Sequence, residues 1–323
     1  MPSFIHAGVA VVLALIAGAA VAAESYPAKT VRIVVPFAAG GSTDLLARSI
    51  AQRLNEAWKQ PVIVDNRAGG GGIVGSDHVA KSAPDGYTIL MGTPTTLAVA
   101  ASLYARLPYD PQRDFAPITE IAFIPQLLSV HPTIPTRSVK ELVALARSRP
   151  GDLNYGTAGS GSASHMAMEL FLSVAKIKMT HVPYKGTGPA LTDLLGGHLS
   201  LMFDVIMTTL PHMQAGKLRT IGISSLERHP VTPNVPTIAE SGYPGYEALV
   251  WFGFVAPAKT PPEIVRRVQE EVGRSLKTPA MRDLLGSQGL VIVANTPAEF
   301  GKRVAFEIVK WRKVIQDAGI KLE

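Results

Sequence analysis

The 323-residue chain contains no cysteine. That excludes a thiol nucleophile, a thiolate metal site and an iron–sulfur cluster, and leaves stability to the core rather than to disulfides. Charge is also sparse: 17% of residues are charged, and the net charge of +6 is spread without any Lys/Arg block. A dispersed excess of that size reads as ordinary surface charge and gives no reason to expect a nucleic-acid partner. The eight histidines are scattered, with no H-x-x-x-H pair and no His/carboxylate cluster, so neither a metal nor another cofactor is expected. Internal repeats and low-complexity segments are missing as well.

What is present begins with one apolar run, AGVAVVLALIAGAAVAA (7–23). It ends in small residues and has the pattern of a secretory signal peptide (1–23), cleaved after Ala22 or Ala23, although its n-region carries no Lys or Arg. The rival is a membrane anchor; the run is short of the roughly 20 residues a span needs and is rich in Ala and Gly. The expected product is an exported, periplasmic, monomeric protein. With 47% hydrophobic residues, it has material for a large core and two domains.

Beyond the leader, short β-branched runs alternate with amphipathic stretches. VRIVV (31–35), VIV (62–64), YTILM (87–91), LNYG (153–156), MTHV (179–182), LSLMF (199–203), LRTIGIS (218–224) and GFVA (253–256) read as strands. Residues 45–58, 139–147, 163–175, 190–195, 263–276 and 298–316 have helical spacing. This is the pattern of α/β domains with mainly parallel sheets flanked by helices. Ser138…Glu141, Thr260…Glu263 and Thr296…Glu299 are spaced as capping boxes. Two segments are candidates for a crossing between domains: ITEIAFIPQLLSVHP (118–132), too long for one simple strand, and GYPGYEALVWFGFVA (242–256).

Two strand-to-helix junctions could carry chemistry. In PFAAGGSTD (36–44), Gly40 and Gly41 permit close approach to the backbone, and Ser42 and Thr43 add hydroxyls. The first N–H groups of the helix and its dipole suit a carboxylate or phosphate there. Alternatively, Ser42 or Thr43 caps its own helix. YGTAGSGSASH (155–165) repeats the arrangement with Thr157, Ser160, Ser162 and Ser164. Facing each other across a cleft, the two would hold the ends of one small ligand, beyond the carboxyl ends of the strands. Asp44 suits the helix dipole but opposes an anion unless water or a hydroxyl intervenes. Asp204, after LSLMF, either meets a ligand or fixes a loop. Lys185 is the one cation in these loops.

Other chemistries fit less well. GGGGIVG (69–75) contains G-x-G-x-x-G, yet the next strand ends without the acidic residue a dinucleotide requires. The proximity of Ser160, Ser162 and His165 raises an exported serine hydrolase, but no nucleophile elbow and no orienting acid accompany them. His181 reads as a satisfied strand histidine.

Together YPAKTVRIVVPFAAGGSTDLLAR, VIVDNRAGGGGIVGS, PDGYTILMGT, LNYGTAGSGSASHMAMELF, HVPYKGTGPALTDLLGG and VPTIAESGYPGY resemble the Bug family of extracytoplasmic solute receptors, the substrate-binding proteins of tripartite tricarboxylate transporters. The resemblance covers nearly all of the chain after the leader. It implies a two-lobed periplasmic binding protein (type II-like) with a ligand cleft between lobes, formed by 24–125 with 249–323 and by 126–248. It implies no enzyme activity, a small carboxylate or related acid or amide as ligand, and membrane permease subunits (or a sensor protein) as partner. Carried over by position, the ligand-binding residues are Phe37, Ala39, Gly41, Ser42, Thr43 and Asp44 from one lobe and Thr157, Ala158, Ser160, Gly161, Ser162, His165 and Asp204 from the other, with Thr93 and Lys185 as further candidates.

Overall fold

The described residues, 26–320, of the computed structural model hold ten strands and ten α-helices, with a short 3-10 turn at Gly70–Gly72 and a π-helical turn at Thr95–Val99; the expected leader lies outside them. The strands are β1 (Val31–Val35), β2 (Val62–Asn66), β3 (Thr88–Gly92), β4 (Phe115–Val130), β5 (Asn154–Thr157), β6 (Thr180–Pro183), β7 (Leu201–Val205), β8 (Arg219–Ile223), β9 (Leu249–Pro257) and β10 (Val291–Ile292). The helices are α1 (Ser42–Trp58), α2 (Ile73–Ala80), α3 (Ala100–Leu103), α4 (Val139–Ser148), α5 (Ala163–Ala175), α6 (Thr187–Leu195), α7 (Ile206–Gln214), α8 (Pro262–Leu276), α9 (Pro279–Ser287) and α10 (Pro297–Ala318).

The strand order is β2-β1-β3-β9-β4-β7-β5-β6, with β8 and β10 also paired to β4. Parallel pairing is confined to β2-β1-β3 and to β7-β5-β6; every pairing that involves β4 or β9 is antiparallel. The inner parallel strands β1, β3, β5 and β7 are buried on both faces, as crossover helices require, whereas the edge strands β2 and β6 are partly exposed. In β1, Val34 faces the core that holds Phe300 and Trp311, whereas Ile33 and Val35 face the core formed with Leu46, Ile50 and Leu54 of α1.

The stretch judged too long for one strand is in fact a single 16-residue strand, β4. Two register shifts accommodate it, between Pro117 and Thr119 and between Glu120 and Ala122. It pairs with β9 through Pro125 and with β7 from Gln126, so one strand serves both halves of the sheet. The register also sets the direction of the junction loops. β3 ends at Gly92, level with Gly253 and hence with Glu120 of β4. β7 runs the opposite way and ends at Val205, level with Gln126. The carboxyl ends of the two parallel sets therefore point toward each other across six residues of β4, a gap of roughly 20 Å at about 3.3 Å per residue.

Helix starts follow the sequence in part. Thr296 and Glu299 form a complete capping box, and Ser138 caps α4 by accepting from Glu141 N–H. The box expected at Thr260 does not form: Pro261 is the cap, and the Thr260 hydroxyl donates to Pro257 O at 2.7 Å.

Candidate functional site

The first junction is braced from behind and open in front. Asp44, only 2% exposed, turns back from α1 into its own loop. Its carboxylate accepts from Gly40 N–H (2.9 Å), Arg48 Nε (3.0 Å) and Asn66 Nδ2 (3.0 Å). Asn66, the last residue of β2, also donates to Phe37 O at 3.2 Å and accepts from Arg48 Nη2 at 3.0 Å. Burial alone would raise the Asp44 pKa, but the bonds from Arg48, Gly40 and Asn66 and the Arg48 charge together hold it below its ordinary value. Asp44 is thus spent on loop shape, which removes the objection that it faces an anion bare.

The helix cap is Gly41, which has no side-chain cap bond, so neither Ser42 nor Thr43 caps α1. Leu45 N–H bonds to Gly41 O. The N–H groups of Gly41, Ser42, Thr43 and Asp44 and the hydroxyls of Ser42 and Thr43 have no bond among the described residues. Ala39 and Gly41 are exposed and Ser42 is half-buried. These donors, at the positive end of a 17-residue helix, suit an anion.

The second junction is braced more fully. Three side chains each pin one loop amide: Ser164 Oγ takes Ala158 N–H (3.0 Å), Thr157 Oγ1 takes Gly159 N–H (3.2 Å), and His165 Nδ1 takes Gly161 N–H (3.1 Å). Ser162 caps α5 by accepting from His165 N–H, and its hydroxyl also meets Ser164 Oγ at 3.1 Å. What remains free here is the exposed Ser160 and the first N–H groups of α5. The His165 ring is turned to Gly161 and to Glu169 Oε1 (3.6 Å), not to a serine hydroxyl. That arrangement supplies no base for Ser160 or Ser162. Thr157 is wholly buried, with its hydroxyl 2.7 Å from His181 Nε2.

Other elements bring the two junctions into one neighbourhood. The Phe37 ring borders Gly72 in the glycine turn, and Tyr104 donates to Gly70 O at 3.2 Å. Leu103, at the end of α3, fills the space that a side chain on Gly161 would need; a Cβ there would lie 2.3 Å from Leu103 Cδ2. Gly75 makes the closest approach to the first loop: an added Cβ would fall 2.9 Å from both Pro36 Cα and Arg67 O, which are backbone atoms. Gly75→Ala is therefore expected to shift the loop, weakening ligand binding about tenfold and stability by about 1–3 kcal/mol, as read by calorimetry and thermal melting.

The remaining candidates lie near strand ends. Thr93 follows β3; its N–H bonds to Thr96 Oγ1 at 3.1 Å, and its own buried hydroxyl has no partner among the described residues. Asp204, one residue from the end of β7, is sealed at 4% exposure and bonded to Val205 N–H (2.8 Å) and the Thr208 hydroxyl (2.6 Å). Burial pushes its pKa up to about 7 against the pull of those two bonds. Lys185 is exposed. A separate hollow of about 340 Å³, bordered by Tyr109, Arg113, Ile308 and Arg312, is lined by residues of neither junction. No group of three His, Asp or Glu able to hold a metal occurs among the described residues. Asn66, Arg48 and Glu169 are the site-supporting residues that sequence reading missed; His181, read as a satisfied strand histidine, is bonded to Thr157. Asn66 alone had a usable signal: it closes a strand beside the one that feeds the first loop.

Comparison with known proteins agrees with this geometry. The family described as "Tripartite tricarboxylate transporter family receptor" matches residues 46–320. Protein BugT of Bordetella pertussis is 38% identical over 306 residues, 94% of each chain. Among solved structures, R. palustris Rpa4515 with adipate is 40% identical with a TM-score of 0.85, covering 92% of this chain and 99% of its own. MatC from Rhodopseudomonas palustris with bound malate is 35% identical with a TM-score of 0.82, covering 90% and 100%. BugD, described as a periplasmic binding protein, gives 33% and 0.82, covering 92% and 100%. The two sets of inward-pointing strand ends joined by β4 are the architecture of a periplasmic binding protein, and the chain, similar to the Bug proteins, belongs to the tripartite tricarboxylate transporter receptor family.

Proposed function

We propose that this chain is a non-enzymatic periplasmic receptor that captures a small carboxylate and delivers it to the membrane permease subunits of its transporter. The observation that carries the reading is the first junction. Four consecutive amides and two hydroxyls lie unpaired among the described residues at a helix start, while Asp44 and Asn66 brace the loop from behind. Relatives solved with adipate and with malate support a carboxylate as the class of ligand.

In this reading residues 24–125 with 249–323 form one lobe and residues 126–248 the other, with β4 and β9 as the crossings. Ser42, Thr43 and the α1 amides hold the carboxylate; Ala39 and Phe37 shape its pocket. Ser160 and the α5 amides serve from the opposite lobe. A ligand that bridges both lobes stabilises the closed form by population shift. Most of the bracing exists before the ligand arrives, which lowers the ordering cost of binding.

Calorimetry against mono-, di- and tricarboxylates tests this. Binding of at least one acid is expected, with affinity reduced by about 1–3 kcal/mol in Ser42→Ala and in Thr43→Val, because each removes a donor to a charged group. Absence of heat with every acid tried would sink the carboxylate reading. A transport assay in a deletion strain separates delivery to a permease from signalling.

A further inference from the structure

Behind the second loop stands a column of three stacked rings. Tyr155 of β5 lies 5.0 Å from His181 of β6 at an interplanar angle of 15°, and His181 lies 4.1 Å from His165 of α5 at 12°. Glu169, one turn further along α5, ties the two ends together: its Oε1 accepts from the Tyr155 hydroxyl and lies 3.6 Å from His165 Nε2. The loop hangs from the other side of the same rings. Gly161 N–H donates to His165 Nδ1, and Gly159 N–H donates to Thr157 Oγ1, which is bonded to His181 Nε2. Both ends of the 157–161 segment are thus suspended from imidazoles.

Resting on the reading of this loop as half of the ligand site, we propose that Tyr155, His181, His165 and Glu169 are positioning residues that make ligand capture pH-dependent. With both imidazoles neutral they hold the loop in its receiving shape, and proton uptake by the stacked pair lets it go.

The geometry dictates the sign. A ring nitrogen that accepts Gly161 N–H carries no proton, so His165 is neutral with its proton on Nε2, directed at Glu169. A second proton on Nδ1 would set N–H against N–H and break that suspension. Two imidazolium rings 4.1 Å apart would also repel. Burial first, and the neighbouring His165 second, push His181 down to about 4, with Glu169 pulling the other way. His165 and Glu169 are the ionisable groups acting on His181. Glu169 itself is held below its ordinary value by His165 and Tyr155 despite burial. From the remaining packed elements, Asp193 of α6 is occupied by the Tyr184 hydroxyl at 2.5 Å, and Asp204 of β7 by Thr208. A group whose folded pKa is depressed resists protonation in the held state. The hold is therefore complete above pH 6.5 and lost as pH falls toward 4. A release that returns His181 to its ordinary 6.5 shifts the balance between held and released loop by about thirtyfold at pH 5, which is the most that affinity can fall there.

The test has a ligand-free arm and a ligand arm. In the protein without ligand, NMR follows the histidine ring signals and the hydrogen-exchange protection of Gly159 and Gly161 from pH 8 to 4.5. Protection at both amides is expected to disappear in step with ring titration. Thr157→Val is expected to lose Gly159 protection already at neutral pH. In the second arm, affinity for malate and adipate is measured over the same range. It should fall up to thirtyfold in the wild type and less than threefold in His181→Gln. Amides that stay protected while the rings titrate, or equal pH profiles in wild type and His181→Gln, overturn the proposal. If neither acid binds but the amides follow the rings, the column stands and the choice of ligand fails.

Discussion

Asp44→Ala is expected to weaken carboxylate binding by more than about 100-fold and to lower stability by roughly 3 kcal/mol at pH 7. The carboxylate holds Gly40 N–H, Arg48 Nε and Asn66 Nδ2 at once. Hydrogen bonds to a charged acceptor contribute about 1.5–3 kcal/mol each, and the half-exposed Arg48 contributes toward the low end because water screens it. Removing the carboxylate frees Gly40 and lets Asn66 turn from Phe37 O, so the amides of residues 41–44 lose their common direction. Asp44→Asn is not expected to rescue. Whichever way its amide is placed, an NH2 faces a donor: Gly40 and Arg48 on one side, Asn66 on the other. Asn66 cannot flip in answer without losing its bonds to Phe37 O and Arg48. The pH dependence separates this effect from general damage. Because the folded pKa is depressed, the contribution is present above 3.8 and lost as pH falls through the folded value. Denaturant melts should therefore find wild type and Asp44→Ala far apart at pH 7 and converging below pH 4. Unchanged affinity in Asp44→Ala would remove the loop from the site.

The same residue shows what a sequence can and cannot reveal. That PFAAGGSTD joins a strand to a helix followed from local pattern: VRIVV before it, helical spacing after it, and glycines where the backbone turns. That Asp44 braces its loop did not, because its partner Asn66 is 22 residues away and meets it only once β1 and β2 pair in register. The long strand β4 was hidden for a related reason. Pro117 and Pro125 break the donor ladder and read as strand ends, yet Pro117 sits at a register shift and Pro125 where the partner changes from β9 to β7. The failed cap at Thr260 comes from the second proline of Thr-Pro-Pro, which moves the helix start one residue on. α7 carries Pro211 inside it, and neither it nor α9 stood out by periodicity. The ring column is mostly tertiary: only His165 and Glu169 share a helical spacing, the pairing of β5 with β6 sets His181 beside Tyr155, and the packing of α5 brings the His165 ring onto His181.

Asp204→Asn is expected to act in the opposite direction to Asp44→Ala. It should raise stability at pH 8 by about 2–4 kcal/mol. Asp204 is sealed, has no cationic partner among the described residues, and is pushed by burial from 3.8 to about 7. For an acid raised in the folded state the native protein keeps its proton longer than the unfolded chain does. Stability therefore falls as pH rises from 3.8 to about 7, by roughly 4 kcal/mol in all, and stays low above that. Glu120, also pushed to about 7 by burial against the opposing pull of Arg303, adds a parallel slope in the same window, so Asp204→Asn should remove its own share and leave that of Glu120. Asn suits the site as a copy of the protonated acid: its oxygen can accept from Val205 N–H and its NH2 can donate to Thr208, whose hydroxyl then turns to Val205 O, already 3.0 Å away. Melts of the variant at pH 5 and pH 8 should differ less than those of the wild type, and an unchanged difference would show that the acid is not held neutral.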